Sequence, residues 1–286
     1  HLCDRRQRQM CIRDRYTYAK YHKIANKEYA YWACLQKKDY PEALKKWFLE
    51  MNYTHQPLDL EHPKTFSEKT QWLKLYGHLD EQRDLVDKYK VRDWIREKVG
   101  EEYLIPLLGV WDRFDEIDFD KLPDRFVLKT NHGAGWNYIV QDKSKLDKAD
   151  AKAKFDLWTK LNFTYYQGGL ELQYEHIQPK IIAEQFIEND GGDLYDYKLC
   201  CFDGEPKVII YIMNRYVDAD ERIICFDTDW NVLPFNLFTP LEQPDDIPRP
   251  KNLEKMVEVA RTLSQGIPFV RVDLYALNDG TIKFGE

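Results

Sequence analysis

The sequence predicts an α+β fold, because its apolar period changes along the chain and its strands arrive as hairpins separated by single helices. Residues 16 to about 50 read as helical, with Pro41 opening the segment PEALKKWFLEMNY. Thr65-Phe66-Ser67-Glu68-Lys69 leads into a periodic stretch with Trp72, Leu75 and Leu79 on one face. A further helix is expected from about Leu85 to Val99, ended by Gly100, and Tyr103 to Pro106 is expected as a short buried strand. From residue 123 the period becomes two. Arg125–Thr130 and Asn137–Gln141 are expected strands joined by a glycine-bearing loop, followed by a helix over about Lys148–Leu161 and a strand over Ile181–Glu188. After the turn signal Asn189-Asp190-Gly191-Gly192, Tyr197–Phe202 and Lys207–Met213 form an expected hairpin around Asp203-Gly204. Strands are expected near Ile223–Phe226 and Val232–Phe235, and a helix over about Leu253–Ser264 precedes the closing hairpin.

Composition narrows the function classes. The 286 residues allow two domains or one large domain with an appendage, and 8 Trp, 19 Tyr and 14 Phe supply a sizeable core. A net charge of −7 with mixed signs disfavours a nucleic-acid binder resting on bulk electrostatics. The longest apolar run, Val208 to Met213, is far short of a membrane span, and the expected location is cytoplasmic. The six cysteines show no metal-ligand spacing, so buried free thiols are expected. Asn52-Tyr-Thr and Asn162-Phe-Thr match the glycosylation triplet only weakly. Residues 1–15, dense in arginine and without an apolar period, resemble a translated sequencing adapter and are set aside; the stop at Glu286 in mid-strand reads as a truncation.

Candidate chemistry begins at the far end, in FVRVDLYALNDGTIKFGE. If Asp279-Gly280 is a tight turn, Asn278 pairs with Thr281 and Asp273 falls opposite Glu286. Carboxylates so opposed lie about 4.5–5.5 Å apart at Cβ and repel. They call for a shared proton, a cation or a metal, and Arg271 on the same strand face favours a metal. Lys129 ends a strand before Asn131-His132-Gly133-Ala134-Gly135-Trp136, a loop whose amides could approach phosphate, although it is no P-loop. Lys198 on a central strand needs a charge partner, and Lys88 and Arg92 fall on one helical face. Asp227-Thr228-Asp229 fits the Asp-x-Asp metal pattern of glycosyltransferases but sits where a turn is expected.

In order and spacing, HPKTFSEKTQWLKLY, DKYKVRDWIREKVGEEYLIPLLGVWD, LPDRFVLKTNHGAG, PKIIAEQFIE, LYDYKLCCFDGEPK and FVRVDLYALNDGTIKFGE resemble the ATP-grasp superfamily, in detail its TupA-like branch, named for teichuronopeptide synthesis. That resemblance implies two α+β lobes clasping a nucleotide, preceded by a mostly helical region. The expected division is 16–120 for the helical region, 121–190 for the small lobe and 191–286 for the large lobe. It implies ATP and Mg²⁺ as cofactors, with Arg92 and Lys129 as basic nucleotide contacts and Asn131, His132, Gly133 and Gly135 in a loop over the phosphates. Glu184, Gln185, Phe186 and Ile187 would border adenine, Glu188 would reach the ribose, and Lys198 would lie near the phosphates. Arg271 would stabilise the transferring phosphoryl group, and Asp273 and Glu286 would be magnesium ligands. The family's Glu is followed two residues on by a further contact that this sequence does not reach, so weak magnesium binding or no turnover is expected of the piece given.

The activity the resemblance implies is an ATP- and Mg²⁺-dependent ligase joining a carboxylate, through an acyl phosphate, to an amine or similar nucleophile. Its implied setting is cell-surface polysaccharide synthesis, with carboxylate and amine or saccharide partners and a peripheral association with that machinery. Acceptor contacts are expected in the N-terminal region and around Tyr165 to Tyr174. A glycosyltransferase using Asp227 and Asp229, a kinase on the same scaffold and a non-catalytic binder are the alternatives.

Overall fold

The computed structural model describes residues 27–51, 55–188, 194–213, 222–235 and 247–286. Residues 1–15, the Asn52 triplet and the turn at 189–192 lie outside them. Seven α-helices occur among the described residues: α1 Lys27–Cys34, α2 Tyr40–Met51, α3 Phe66–Tyr76, α4 Arg83–Val86, α5 Val91–Lys98, α6 Lys148–Trp158 and α7 Leu253–Leu263. The strands are β1 Leu107–Trp111, β2 Phe126–Thr130, β3 Asn137–Val140, β4 Ile181–Gln185, β5 Asp196–Phe202, β6 Glu205–Met213, β7 Arg222–Phe226, β8 Phe269–Ala276 and β9 Ile282–Phe284.

Two antiparallel sheets result, one in the order β1-β4-β2-β3 and one in the order β7-β6-β5-β8-β9. The alternation expected of β2 is present. Phe126 and Leu128 are fully buried with Ile181 and Ala183 of β4, against Ala151 and Phe155 of α6 and the aromatic run Phe114–Phe119. The opposite face, carrying Val127, Lys129 and Glu184, is left for the cleft. In the five-stranded sheet, Tyr197, Leu199, Tyr211, Val272 and Leu274 pack on Met256, Ala260 and Leu263 of α7 and on Val91 and Ile95 of α5. Its other face presents Lys198, Ile210, Arg271 and Asp273 toward the four-stranded sheet. The period of two thus divides each sheet into a core face and a cleft face.

The helical region is anchored by its own core, in which Trp32, Leu44, Phe48 and Leu170 are buried together. Helix α3 begins with a reciprocal cap. Glu68 donates its backbone N–H to Thr65 Oγ1 at 3.2 Å and its carboxylate accepts the Thr65 N–H at 2.8 Å.

Three expected elements differ. The helix expected over Leu85–Val99 is broken at Asp87, whose carboxylate accepts the N–H groups of Tyr89 and Lys90 at 2.9 and 3.2 Å and so starts α5 afresh. Tyr103–Pro106 is not a strand: a 3₁₀ turn at Glu101–Tyr103 leads into buried loop residues, and pairing starts at Leu107. The four-stranded sheet therefore takes β1 from before residue 121. Val232–Phe235 makes only a bridge from Val232 to Phe226 and one bond from Leu233 N–H to the Cys225 carbonyl at 2.8 Å. Asp227 caps the intervening turn, accepting from Asp229 and Asn231 N–H groups at 3.0 and 2.8 Å, and Trp230 bends it back at φ 72°.

Candidate active site

A cleft of about 1200 Å³ lies between the cleft faces of the two sheets. Its floor is set by the closing hairpin, where the expected register fails and then recovers. Leu277 N–H donates to the Thr281 carbonyl at 2.8 Å and Gly280 N–H to the Leu277 carbonyl at 2.9 Å, with Gly280 at φ 89°. The turn is thus one residue longer than a two-residue Asp-Gly loop, and Ala276 pairs with Ile282. That shift alone would send Asp273 and Glu286 to opposite faces. A bulge reverses it: Gly285 N–H donates to the Asp273 carbonyl and Asp273 N–H to the Glu286 carbonyl, both at 2.8 Å. Two residues oppose one, and both carboxyl side chains line the cleft.

Both carboxylates are held by cations. Asp273, 4% exposed, accepts Arg271 Nε at 2.6 Å and Nη2 at 2.9 Å, and Lys198 Nζ at 2.5 Å. Lys198 also meets Asp196 at 2.8 Å, so its burial on β5 is matched by two carboxylates. Glu286 accepts Lys88 Nζ at 2.6 Å, and Lys88 donates as well to the Gly133 carbonyl at 2.7 Å. Burial pushes the Asp273 carboxyl up, against the pull of Arg271 and Lys198. Burial opposes ionisation of Glu286 too, but Lys88, Arg271 and Lys198 outweigh it and hold its carboxyl below the usual range. Arg271 is raised: burial alone would lower it, and the Asp273 charge outweighs that.

Lys129, at the end of β2, donates to Glu184 Oε2 at 2.7 Å. Glu184 accepts Arg92 Nη1 on its other oxygen at 3.1 Å, and Arg92 Nη2 reaches the Ile105 carbonyl at 2.8 Å. Arg92 is therefore packed behind Glu184 and lies outside the main cleft lining, because α5 begins only after the Asp87 turn and turns its side chain inward. The same break puts Lys88 in the cleft; the expected shared helical face does not exist. Lys88 was the site residue the spacing argument passed over, and Asp87 beside it was the available signal.

The loop after β2 divides in two. Asn131 is 1% exposed and spent on structure, donating to Asp87 and the Gln178 carbonyl, both at 3.0 Å, and accepting Lys180 N–H at 2.6 Å. His132 is 2% exposed, with Nε2 3.1 and 3.2 Å from the carbonyls of Trp158 and Leu161. Two acceptors require Nε2 to carry the proton, and burial lowers the imidazole to about 4. Neither side chain reaches the cleft, which corrects their expected place over the phosphates; Gly133, Ala134 and Gly135 do line it, Gly135 at φ 72°. Gln185, Phe186, Ile187 and Glu188 line its other end beyond β4. Arg125 holds Glu188 through both carboxylate oxygens and lies 4.2 Å over the Phe186 ring.

Asp227 and Asp229 do not line the cleft, and Asp227 is occupied by its turn. Among the described residues no three His, Cys, Asp or Glu side chains gather as a metal cluster. The cleft pair of Asp273 and Glu286, with no sulfur or imidazole, is instead a hard-oxygen donor set of the kind magnesium takes with phosphates completing its shell. Both residues fit that ion.

A nucleotide-sized cleft between two antiparallel lobes, with carboxylates and cations at one end, defines the ATP-grasp class of protein. The family model described as TupA-like ATPgrasp matches residues 68–286, and the chain belongs to that family of ATP-grasp enzymes. No curated protein matches the chain. Among solved structures it is similar to the ADP complex of PurK, N5-carboxyaminoimidazole ribonucleotide synthetase, at 14% identity and TM-score 0.42, covering 70% of this chain and 44% of that one. An L-amino acid ligase from Bacillus licheniformis matches at 17% identity and TM-score 0.44, covering 87% and 52%. D-alanine–D-alanine ligase from Bacillus anthracis, complexed with ATP, matches at 16% identity and TM-score 0.39, covering 70% and 53%. The chain thus spans about half the length of these structures. Among the described residues no helix is long and apolar enough to cross a membrane.

Proposed function

We propose that the protein is an ATP-dependent ligase that uses Mg²⁺, activates a carboxylate as an acyl phosphate and passes the acyl group to an amine. The observation that carries this reading is the opposition of Asp273 and Glu286 across the closing hairpin, with Lys88, Lys198 and Arg271 around them. In it, Asp273 and Glu286 would hold magnesium, which supplies charge neutralisation between the phosphates. Lys88, Lys129, Lys198 and Arg271 then neutralise and orient the phosphate oxygens, which is most of what phosphoryl transfer asks of a protein. Gly133–Gly135 offer main-chain N–H groups without side chains in the way, and Gln185–Ile187 border the adenine with Glu188 toward the ribose.

In the structure each carboxylate is already neutralised by the cations that this reading assigns to phosphate. Binding of Mg²⁺ and nucleotide would therefore exchange partners: carboxylates pass from ammonium and guanidinium to metal, and the cations pass to phosphate. No charge is left unpaired by the exchange, which favours a preformed site. The setting we assign is cell-surface polysaccharide synthesis, in line with the family's name, with a carboxylate and an amine or saccharide as substrates and the cytoplasm as location.

An ADP-release screen of carboxylates with hydroxylamine as trap tests the reading. A ligase yields both ADP and a hydroxamate from the correct carboxylate. ADP without hydroxamate, accompanied by a phosphorylated hydroxyl, would replace ligase by kinase.

A further inference from the structure

Resting on the ligase reading, we propose that Lys74 of α3 and Glu171 of the Phe163–Tyr174 segment form the acceptor subsite, binding a small zwitterion whose carboxylate meets Lys74 and whose ammonium meets Glu171. The nearby chain is tightly built. Lys74 Nζ donates to the Gly169 carbonyl at 2.6 Å and lies 5.3 Å over the Trp47 ring, so α3 is seated directly on this segment. Tyr174 packs with Val86, two residues before Lys88, which brings the same segment beside the Lys88–Glu286 pair.

Two features mark a ligand site. Lys74 and Glu171 attract each other, yet they make no ion pair within 4.0 Å among the described residues; each is part-buried and electrostatically unsatisfied. Burial pushes the Lys74 ammonium down and the Glu171 carboxyl up, the response of charges lacking a close counter-ion. Besides Lys74, the charges acting on Glu171 are those of Glu286, Arg271 and Lys88, so it stands between Lys74 and the phosphoryl-transfer end of the cleft. Second, Gln71, 7% exposed and one helical turn from Lys74, has a buried amide oxygen with no hydrogen-bond partner. Gln173, which donates weakly to Glu171 at 3.5 Å, has another. A buried acceptor without a donor is costly unless something else satisfies it, and an incoming ammonium supplies donors.

A ligand with both charges would close the gap that the two side chains leave open. Its ammonium would then lie on the side nearer Arg271 and Glu286, where an acyl phosphate forms under the ligase reading.

The test is calorimetric titration of the full chain with glycine and the L-amino acids, with magnesium and a non-hydrolysable ATP analogue present. Each binder is compared with its carboxamide, which lacks the carboxylate, and its N-acetyl form, which lacks the ammonium. The free amino acid should bind at least about tenfold more tightly than either analogue. Lys74→Met should abolish the preference over the carboxamide, and Glu171→Gln the preference over the N-acetyl form. Lys74→Arg, which keeps the charge, should retain it and controls for folding. The assignment is overturned if no amino acid binds the wild-type chain, or if both preferences survive in the two neutral variants. Titration with the ATP analogue alone, in the same instrument, separates that failure from failure of the ligase reading.

Discussion

Arg92 shows what a residue type conceals until its partners are known. A basic side chain five residues after an aspartate resembles a nucleotide contact, yet its guanidinium is buried against Glu184 and the Ile105 carbonyl. Removing one partner of a buried pair leaves the other uncompensated, so Arg92→Ala should lower unfolding stability by on the order of 3 kcal/mol in urea denaturation. An unchanged midpoint would mean that the pair contributes nothing. Asn131 and His132 teach the same lesson: polar residues beside a glycine loop looked like ligands because sequence reports their chemistry and not their orientation. His132 carries a pH prediction. Its folded imidazole is depressed to about 4 by burial, whereas the unfolded group titrates near about 6.5. Between these values the unfolded chain binds more protons, so His132 contributes stability above about pH 6.5 that is lost as pH falls toward about 4, up to about 3 kcal/mol. Comparing urea midpoints at pH 7.5 and 5 should show a smaller drop for His132→Gln than for the wild-type chain.

At the scale of elements, hairpins and their alternation were legible because both signals are local. Asp203-Gly204 turns β5 into β6 with both residues at positive φ, as the dipeptide implies. Register was less legible. The pairing of Asp273 with Glu286 follows from two offsets that cancel, a longer turn at Gly280 and a bulge at Gly285, and a two-residue turn signal encodes neither. Gly280 at φ 89° should resist replacement: Gly280→Ala is expected to cost about 1 kcal/mol and to loosen the hairpin. Hydrogen exchange of the Gly285 and Asp273 amides reads this directly, and unchanged protection would show that the turn does not set the register. Helix continuity was misread at Asp87, where apolar spacing on both sides hid a capping carboxylate. Strand β1 was missed because LLGVW is short and its register shifts between Leu107 and Gly109.

At the scale of the whole molecule, the α+β class and its two antiparallel sheets followed from period and hairpin spacing, and the family from the order of motifs over 68–286. Which side chains converge across the cleft depends on how the two sheets face each other, and no local pattern contains that. Lys88 reaches Glu286 across 198 positions, and Lys198 reaches Asp273 across 75. The account rests on those convergent charges being a magnesium–nucleotide site, and titration of a non-hydrolysable ATP analogue with and without Mg²⁺ tests it most directly. Magnesium should tighten binding by about tenfold or more in the wild-type chain, and this gain should vanish in Asp273→Asn and Glu286→Gln. A magnesium effect that survives in both variants, or an analogue that does not bind at all, would contradict it.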